Sequence, residues 1–188
     1  MPRKVLLHVC CGPCAIYPVR SLRKQGLEVV CLFYNPNIHP LQEYLRRREG
    51  LVRVAEKMDI KKIIWKDDEY EPRDYLRNVA FREASRCSLC YHMRLERTWS
   101  IAKRGGFDFF TSTLLYSKMQ QHAVIADLGR DIAGQSGTGF LYSDFRQGWK
   151  EGIEQSKDWG IYRQQYCGCI YSEKERYARE LKAIIAGS

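Results

Sequence analysis

The chain has 188 residues, 45% of them hydrophobic and 28% charged. That apolar content supports a core of its own and argues against a small fold that exists only through metal or disulfides, and no stretch approaches the roughly 18 apolar residues of a membrane span. A formal net charge of +9, from 31 Lys and Arg against 22 Asp and Glu, favours a polyanionic partner.

In chain order, Val5 to Cys10 is a short apolar run suited to a buried strand, and Gly12-Pro13 turns it. Ala15 to Gln25 carries Ile16, Val19 and Leu22 at helical spacing and is closed by Gly26. Leu27 to Tyr34 predicts a second strand, stopped by Asn35-Pro36. A helix follows over Leu41 to Met58, with Gly50 as a candidate break, and then a strand over Lys62 to Trp65. Leu89 to Lys103 reads as a helix ended by Gly105-Gly106. Phe107 to Leu115 is a fourth strand, Ser117 to Ala133 a helix, Phe140 to Asp144 a fifth strand, and Ser172 to Ile185 a final helix. No linker, repeat or low-complexity segment interrupts this alternation, so one α/β domain over residues 1–188 is expected. Strands alternating with helices predict a Rossmann-like parallel sheet with flanking helices.

Seven of the eight cysteines fall in three clusters: Cys10, Cys11 and Cys14; Cys87 and Cys90; Cys167 and Cys169. Residues 1–9 show no signal core with a cleavage site, so a cytoplasmic location is expected, where thiols stay reduced and clustered cysteines bind metal or catalyse. Seven thiols are too many for one structural zinc and one too few for two all-cysteine sites. Thiolate clusters also suit iron–sulfur chemistry, although none of the three reproduces a ferredoxin run. Ligands of a parallel sheet sit at the carboxyl ends of its strands. Cys10 and Cys11 end the first strand and Cys14 begins the next helix, where the macrodipole favours a thiolate. A metal site above that edge is therefore predicted. Cys31, inside the second strand, reads as a small core residue, and His8 as structural.

The ordered blocks Cys10-Cys11-Gly12-Pro13-Cys14, Phe33-Tyr34-Asn35-Pro36-Asn37-Ile38-His39-Pro40, Arg86-Cys87-Ser88-Leu89-Cys90-Tyr91, Thr111-Ser112-Thr113-Leu114-Leu115, Asp144-Phe145-Arg146 and Tyr162-Arg163-Gln164-Gln165-Tyr166-Cys167-Gly168-Cys169 span nearly the whole chain. In these blocks the chain resembles the cobalamin-independent epoxyqueuosine reductases. The resemblance implies a fold related to the adenine nucleotide alpha-hydrolase-like group. It also implies reduction of the epoxide of epoxyqueuosine at the tRNA wobble position, with a 4Fe–4S cluster beside a further iron ion. The implied partners are the tRNA anticodon loop and an external electron donor. Cys10, Cys11, Cys87, Cys90, Cys167 and Cys169 are the expected cofactor ligands, and Cys14 joins them as a metal ligand; which thiols bind the cluster and which the iron stays open. Asp144 and Tyr166 are the candidate catalytic residues, with Tyr34, His39, Tyr91, His92 and Tyr162 as further proton-donor candidates. The family pattern admits alanine as readily as glycine at position 12.

Two other readings compete. Related ATP-pyrophosphatase-like enzymes, some with iron–sulfur clusters, transfer sulfur to tRNA, but they carry a Ser-Gly-Gly-x-Asp-Ser phosphate loop where this chain has Cys-Cys-Gly-Pro-Cys. A zinc-stapled RNA-binding module explains charge and cysteines without explaining their convergence on a sheet edge. For RNA contact, Arg46, Arg47 and Arg48 are the first candidates, then Arg82, Arg86, Arg94 and Arg97 around the CxxC.

Overall fold

The computed structural model describes residues 2–134 and 137–187. Its sheet has five parallel strands in the order β3-β2-β1-β4-β5, formed by β1 (Lys4–His8), β2 (Glu28–Phe33), β3 (Ile63–Trp65), β4 (Phe109–Ser112) and β5 (Gly139–Phe140). Val5, Leu6 and Leu7 of the central strand have no exposed surface. A strand covered on both faces needs such an uninterrupted apolar run rather than alternation.

The helices are α1 (Gly12–Lys24), α2 (Leu41–Met58), α3 (Pro72–Val79), α4 (Arg86–Arg104), α5 (His122–Ala133), α6 (Trp149–Asp158), α7 (Ile170–Arg176) and α8 (Ala178–Ala186). Gly12 and Pro13 open α1 rather than forming a separate turn, because the missing proline N–H is an orphan in the first turn anyway. Gly50 does not break α2. It lets α1 approach: a Cβ added at Gly12 would lie 2.3 Å from the Gly50 carbonyl oxygen. Glycine at position 12 is therefore a packing requirement in this chain, and alanine is not its equal.

Several boundaries differ from the expectations. The fourth strand stops at Ser112, whose hydroxyl accepts from Leu114 N at 3.1 Å and starts a 3-10 turn over Thr113–Tyr116. The fifth strand keeps only two ladder residues, and the final helix is broken at Tyr177. Helix α4 begins at Arg86, so it includes Cys87. Two helices had no sequence expectation. Helix α3 has Pro72 in its first turn and Glu71 as cap, accepting from Arg73 N at 3.0 Å. Helix α6 buries Gly152 and Ser156, too small to show an apolar period.

Candidate metal centre

The strand order reverses between β1 and β4, and the carboxyl edge at such a switch point is where α/β sheets bind ligands. Cys10 and Cys11 leave β1 there, and Cys14 sits in the first turn of α1. All three are buried, and their sulfurs lie within 4.8 Å of one another. Cys10 Sγ is 3.9 Å from Cys11 Sγ, which is 2.7 Å from Cys14 Sγ, with no disulfide. Thr113, arriving from β4, accepts from Cys10 N at 3.2 Å and donates to Cys10 Sγ at 3.4 Å. Gln164 Nε2 donates to Cys14 Sγ at 3.3 Å. Hydrogen bonds from Cys11, then Cys14, hold Cys10 well below the ordinary thiol value, whereas burial pushes Cys11 up. One thiolate braced by two thiols is a donor set ready for a cation.

The other four thiols, Cys87, Cys90, Cys167 and Cys169, are a quartet within electrostatic reach of one another. Cys87 and Cys90 stand on the first turn of α4, and each feels the charges of Cys167 and Cys169. Burial pushes Cys90 up to about 12. Burial also opposes ionisation of Cys169, but hydrogen bonds from Ser172, Tyr75 and backbone N–H groups outweigh it and hold this thiol below its ordinary value. Asn37 Nδ2 donates to Cys90 Sγ at 3.5 Å, and Gln120 Nε2 to Cys167 Sγ at 3.3 Å. Tyr91 donates in turn to Gln120 Oε1 at 2.8 Å.

Two buried arginines organise this region. Arg47, 1% exposed, pairs with Glu43 at 2.7 Å and clamps the CxC loop through Cys167 O at 2.8 Å and Tyr166 O at 2.9 Å. Glu43 also accepts from Tyr162 Oη at 2.5 Å. Arg94, equally buried, donates from Nε to Asn37 Oδ1 at 2.9 Å. Neither is free to grip RNA, which corrects the expectation for both. Arg48 pairs with Asp67 at 2.8 Å and Arg97 with Glu69, while Arg86 reaches Glu175. Arg46 and Arg82 remain in place for a solvent-side contact.

Asp144 caps the 3-10 turn over Phe145–Gly148, accepting from Arg146 N at 3.0 Å, and its carboxylate pairs with the Arg146 guanidinium at 2.6 Å. That guanidinium lowers its pKa to about 2. Tyr166 donates its hydroxyl proton to His39 O at 2.6 Å, and burial raises its pKa. His39 is buried, and among the described residues neither ring nitrogen has a hydrogen-bond partner. His92 lies on the outer side of α4 at 3.6 Å from Glu96. Tyr34 is half-buried at the end of β2, and burial raises its pKa. His8 bridges Ser112 Oγ at 2.9 Å and Tyr34 O at 3.0 Å, a satisfied structural residue. Cys31 is fully buried in β2, and burial raises its thiol to about 12.

The residues that sequence reasoning missed are the supports: Asn37, Glu43, Tyr75, Gln120 and Gln164, together with the inward roles of Arg47 and Arg94. One signal was present. Arg47 lies in register with Tyr44, Leu51 and Val54, on the apolar stripe of α2.

The donor set fits soft metal. Three unpaired thiols lie together, Cys10, Cys14, Cys90, Cys167 and Cys169 each receive a hydrogen bond, and two buried guanidinium groups supply positive charge. Such an array is built for anionic sulfur.

The profile described as epoxyqueuosine reductase QueH matches residues 5–175. Among curated proteins bearing that name, the one from Dehalococcoides mccartyi is 35% identical over 95% of this chain and 97% of its own length. The protein from Thermotoga maritima is 36% identical over 97% and 95%. That from Haemophilus influenzae is 37% identical over 92% of this chain and 72% of its own length. With the thiol blocks in place from end to end, the chain belongs to the epoxyqueuosine reductase QueH family.

Proposed function

We propose that the protein reduces epoxyqueuosine in tRNA to queuosine without cobalamin, using a 4Fe–4S cluster and an adjacent iron ion within one α/β domain. The observation that carries this reading is the buried triad of free thiols, Cys10, Cys11 and Cys14, at the carboxyl edge of the sheet in a member of this family. We further read the fold as related to the adenine nucleotide alpha-hydrolase-like group, with sulfur ligands in place of the phosphate loop after β1.

Geometry supports a division of labour. Three sulfurs within 4.8 Å suit a single ion, so Cys10, Cys11 and Cys14 would hold the lone iron. The more widely spread Cys87, Cys90, Cys167 and Cys169 would hold the cluster, which takes four thiolates. When bound, the cluster would relay single electrons and the iron would polarise the epoxide oxygen as a Lewis acid.

The reaction breaks both bonds from carbon to the epoxide oxygen, consumes two electrons and two protons, and releases water. Asp144, ionised at neutral pH, serves as an anionic ligand or a proton acceptor rather than a resting acid. Tyr166 keeps its proton on Oη, donated in a hydrogen bond to His39 O, until a stronger base is present, and an opening epoxide would supply one as alkoxide character develops. The Glu43–Arg47 strap fixes the loop that carries Tyr166 and both CxC thiols.

For the RNA, Arg46 stacks on Tyr162, and the two line a cleft of about 270 Å³ together with Arg53 and its ion-pair partner Glu49. In the segment preceding the CxxC, Arg77 and Arg82 are exposed, and Phe81, 100% exposed, offers a face for an unstacked base. A cytoplasmic setting and an external reductant complete the reading.

The test is anaerobic purification, metal analysis and mass spectrometry of nucleosides after incubation with epoxyqueuosine-containing tRNA and dithionite. Roughly four to five irons per chain and conversion to queuosine are expected. A colourless chain with stoichiometric zinc, no iron after reconstitution and no conversion would sink the proposal.

A further inference from the structure

Arg94 lies on α4 with 1% of its surface exposed, and among the described residues no carboxylate pairs with it. Its Nε has Asn37 Oδ1 at 2.9 Å, but its buried Nη2 has no hydrogen-bond partner among the described residues. A guanidinium cannot shed its charge. An unsatisfied buried donor on a permanent cation is among the least stable arrangements a core can hold, so it signals an absent anionic acceptor. Among the groups whose charge acts most on Arg94 are Cys90, Cys167 and Cys10, one from each of the three cysteine clusters. Asn37 joins the same unit, since its amide donates to Cys90 Sγ while its carbonyl oxygen accepts from Arg94.

We infer that Arg94 is the counter-charge of the metal centre, its guanidinium donating to metal-bound sulfur and setting the reduction potential of the cluster. The inference rests on the reading that these thiols bind an iron–sulfur group. A thiolate-ligated cluster becomes more negative by one charge on reduction. A fixed cation beside it stabilises the reduced form more than the oxidised one, and N–H···S bonds act in the same direction. Arg47 does not substitute for it, because its donors are committed to Glu43 Oε1 and to the carbonyls of Tyr166 and Cys167. Arg94 is therefore a tuning residue whose effect is readable without turnover.

The experiment is a redox titration of the reconstituted full-length protein, followed by electron paramagnetic resonance, with iron per chain measured on the same samples. Wild type is compared with Arg94→Gln, which keeps length and an N–H donor but removes the charge, and with Arg94→Lys, which keeps the charge. The expected result is a potential shifted to more negative values in Arg94→Gln at wild-type iron content, and a potential near wild type in Arg94→Lys. An unchanged potential in iron-loaded Arg94→Gln overturns the inference. If the glutamine variant does not accumulate, the lysine variant decides: iron loading at an unshifted potential supports the counter-charge, and a negative shift as for charge removal overturns it. A wild-type protein that takes up no iron would instead refute the underlying reading of the thiols.

Discussion

The triad and the quartet are two ways of assembling sulfur. Cys10, Cys11 and Cys14 lie on one uninterrupted strand-to-helix segment, and backbone geometry alone brings them together. The quartet joins the start of α4 to a loop some eighty residues later in sequence, and its closure depends on side chains, above all Arg47 and Glu43. A local site resists perturbation elsewhere; an assembled one is only as firm as its straps.

The largest effects should come from the sulfurs themselves. Both Cys10→Ser and Cys90→Ser are expected to abolish reductase activity, since a hydroxyl is a poor soft-metal ligand. They should differ in metal content. Cys10→Ser keeps roughly four irons per chain, and Cys90→Ser falls well below that number. Equal iron loss in both variants would erase the division between the two sites.

Next in size is the strap. Arg47→Ala leaves Glu43 buried and unpaired, a change worth about 3–5 kcal/mol, read as a lower denaturation midpoint in urea. It should also loosen iron at the quartet. A stable, fully iron-loaded Arg47→Ala protein would show that the CxC loop holds itself.

Smaller losses are expected where packing rather than charge is disturbed. Gly12→Ala drives a methyl into the Gly50 carbonyl and should cost about 1–3 kcal/mol by overpacking. Cys31→Ser, which buries a hydroxyl in β2, falls in a similar range of about 1–3 kcal/mol, with iron content unchanged. If Cys31→Ser lost its iron, β2 would belong to the site rather than to its foundation.

The smallest effect concerns RNA. Arg77→Ala with Arg82→Ala should weaken tRNA binding and flatten its salt dependence by about 0.7 in slope per lost phosphate contact, leaving iron content and fold intact. An unchanged slope would move the RNA surface to Arg46 and Arg53.

The same contrast explains what was legible in the sequence. Val5 to Cys10 and Leu27 to Tyr34 announce buried strands because parallel strands covered on both faces must be apolar throughout, and the triad follows directly from the first of them. Helix α6 was invisible because its inward residues are Gly152 and Ser156: a Cβ on Gly152 would sit 2.3 Å from the Tyr116 hydroxyl. Small residues that permit close approach leave no hydrophobic period. Arg47 was hidden for the opposite reason, a buried cation between the exposed Arg46 and the half-buried Arg48. The clustered thiols could be picked out by their spacing, but the groups that brace them could not. Asn37, Gln120 and Gln164 are ordinary polar residues until the chain folds.

Gly168 separates the two CxC cysteines at φ +143, a backbone state that other residues rarely enter. In a plain extended strand residues two apart share a face, yet here Cys169 is buried and Cys167 is exposed. Wear therefore has an address. Of the seven clustered sulfurs Cys167 is exposed, Cys87 is partly covered and the other five are buried, so an oxidant is expected to reach Cys167 first, at the reversible sulfenic step.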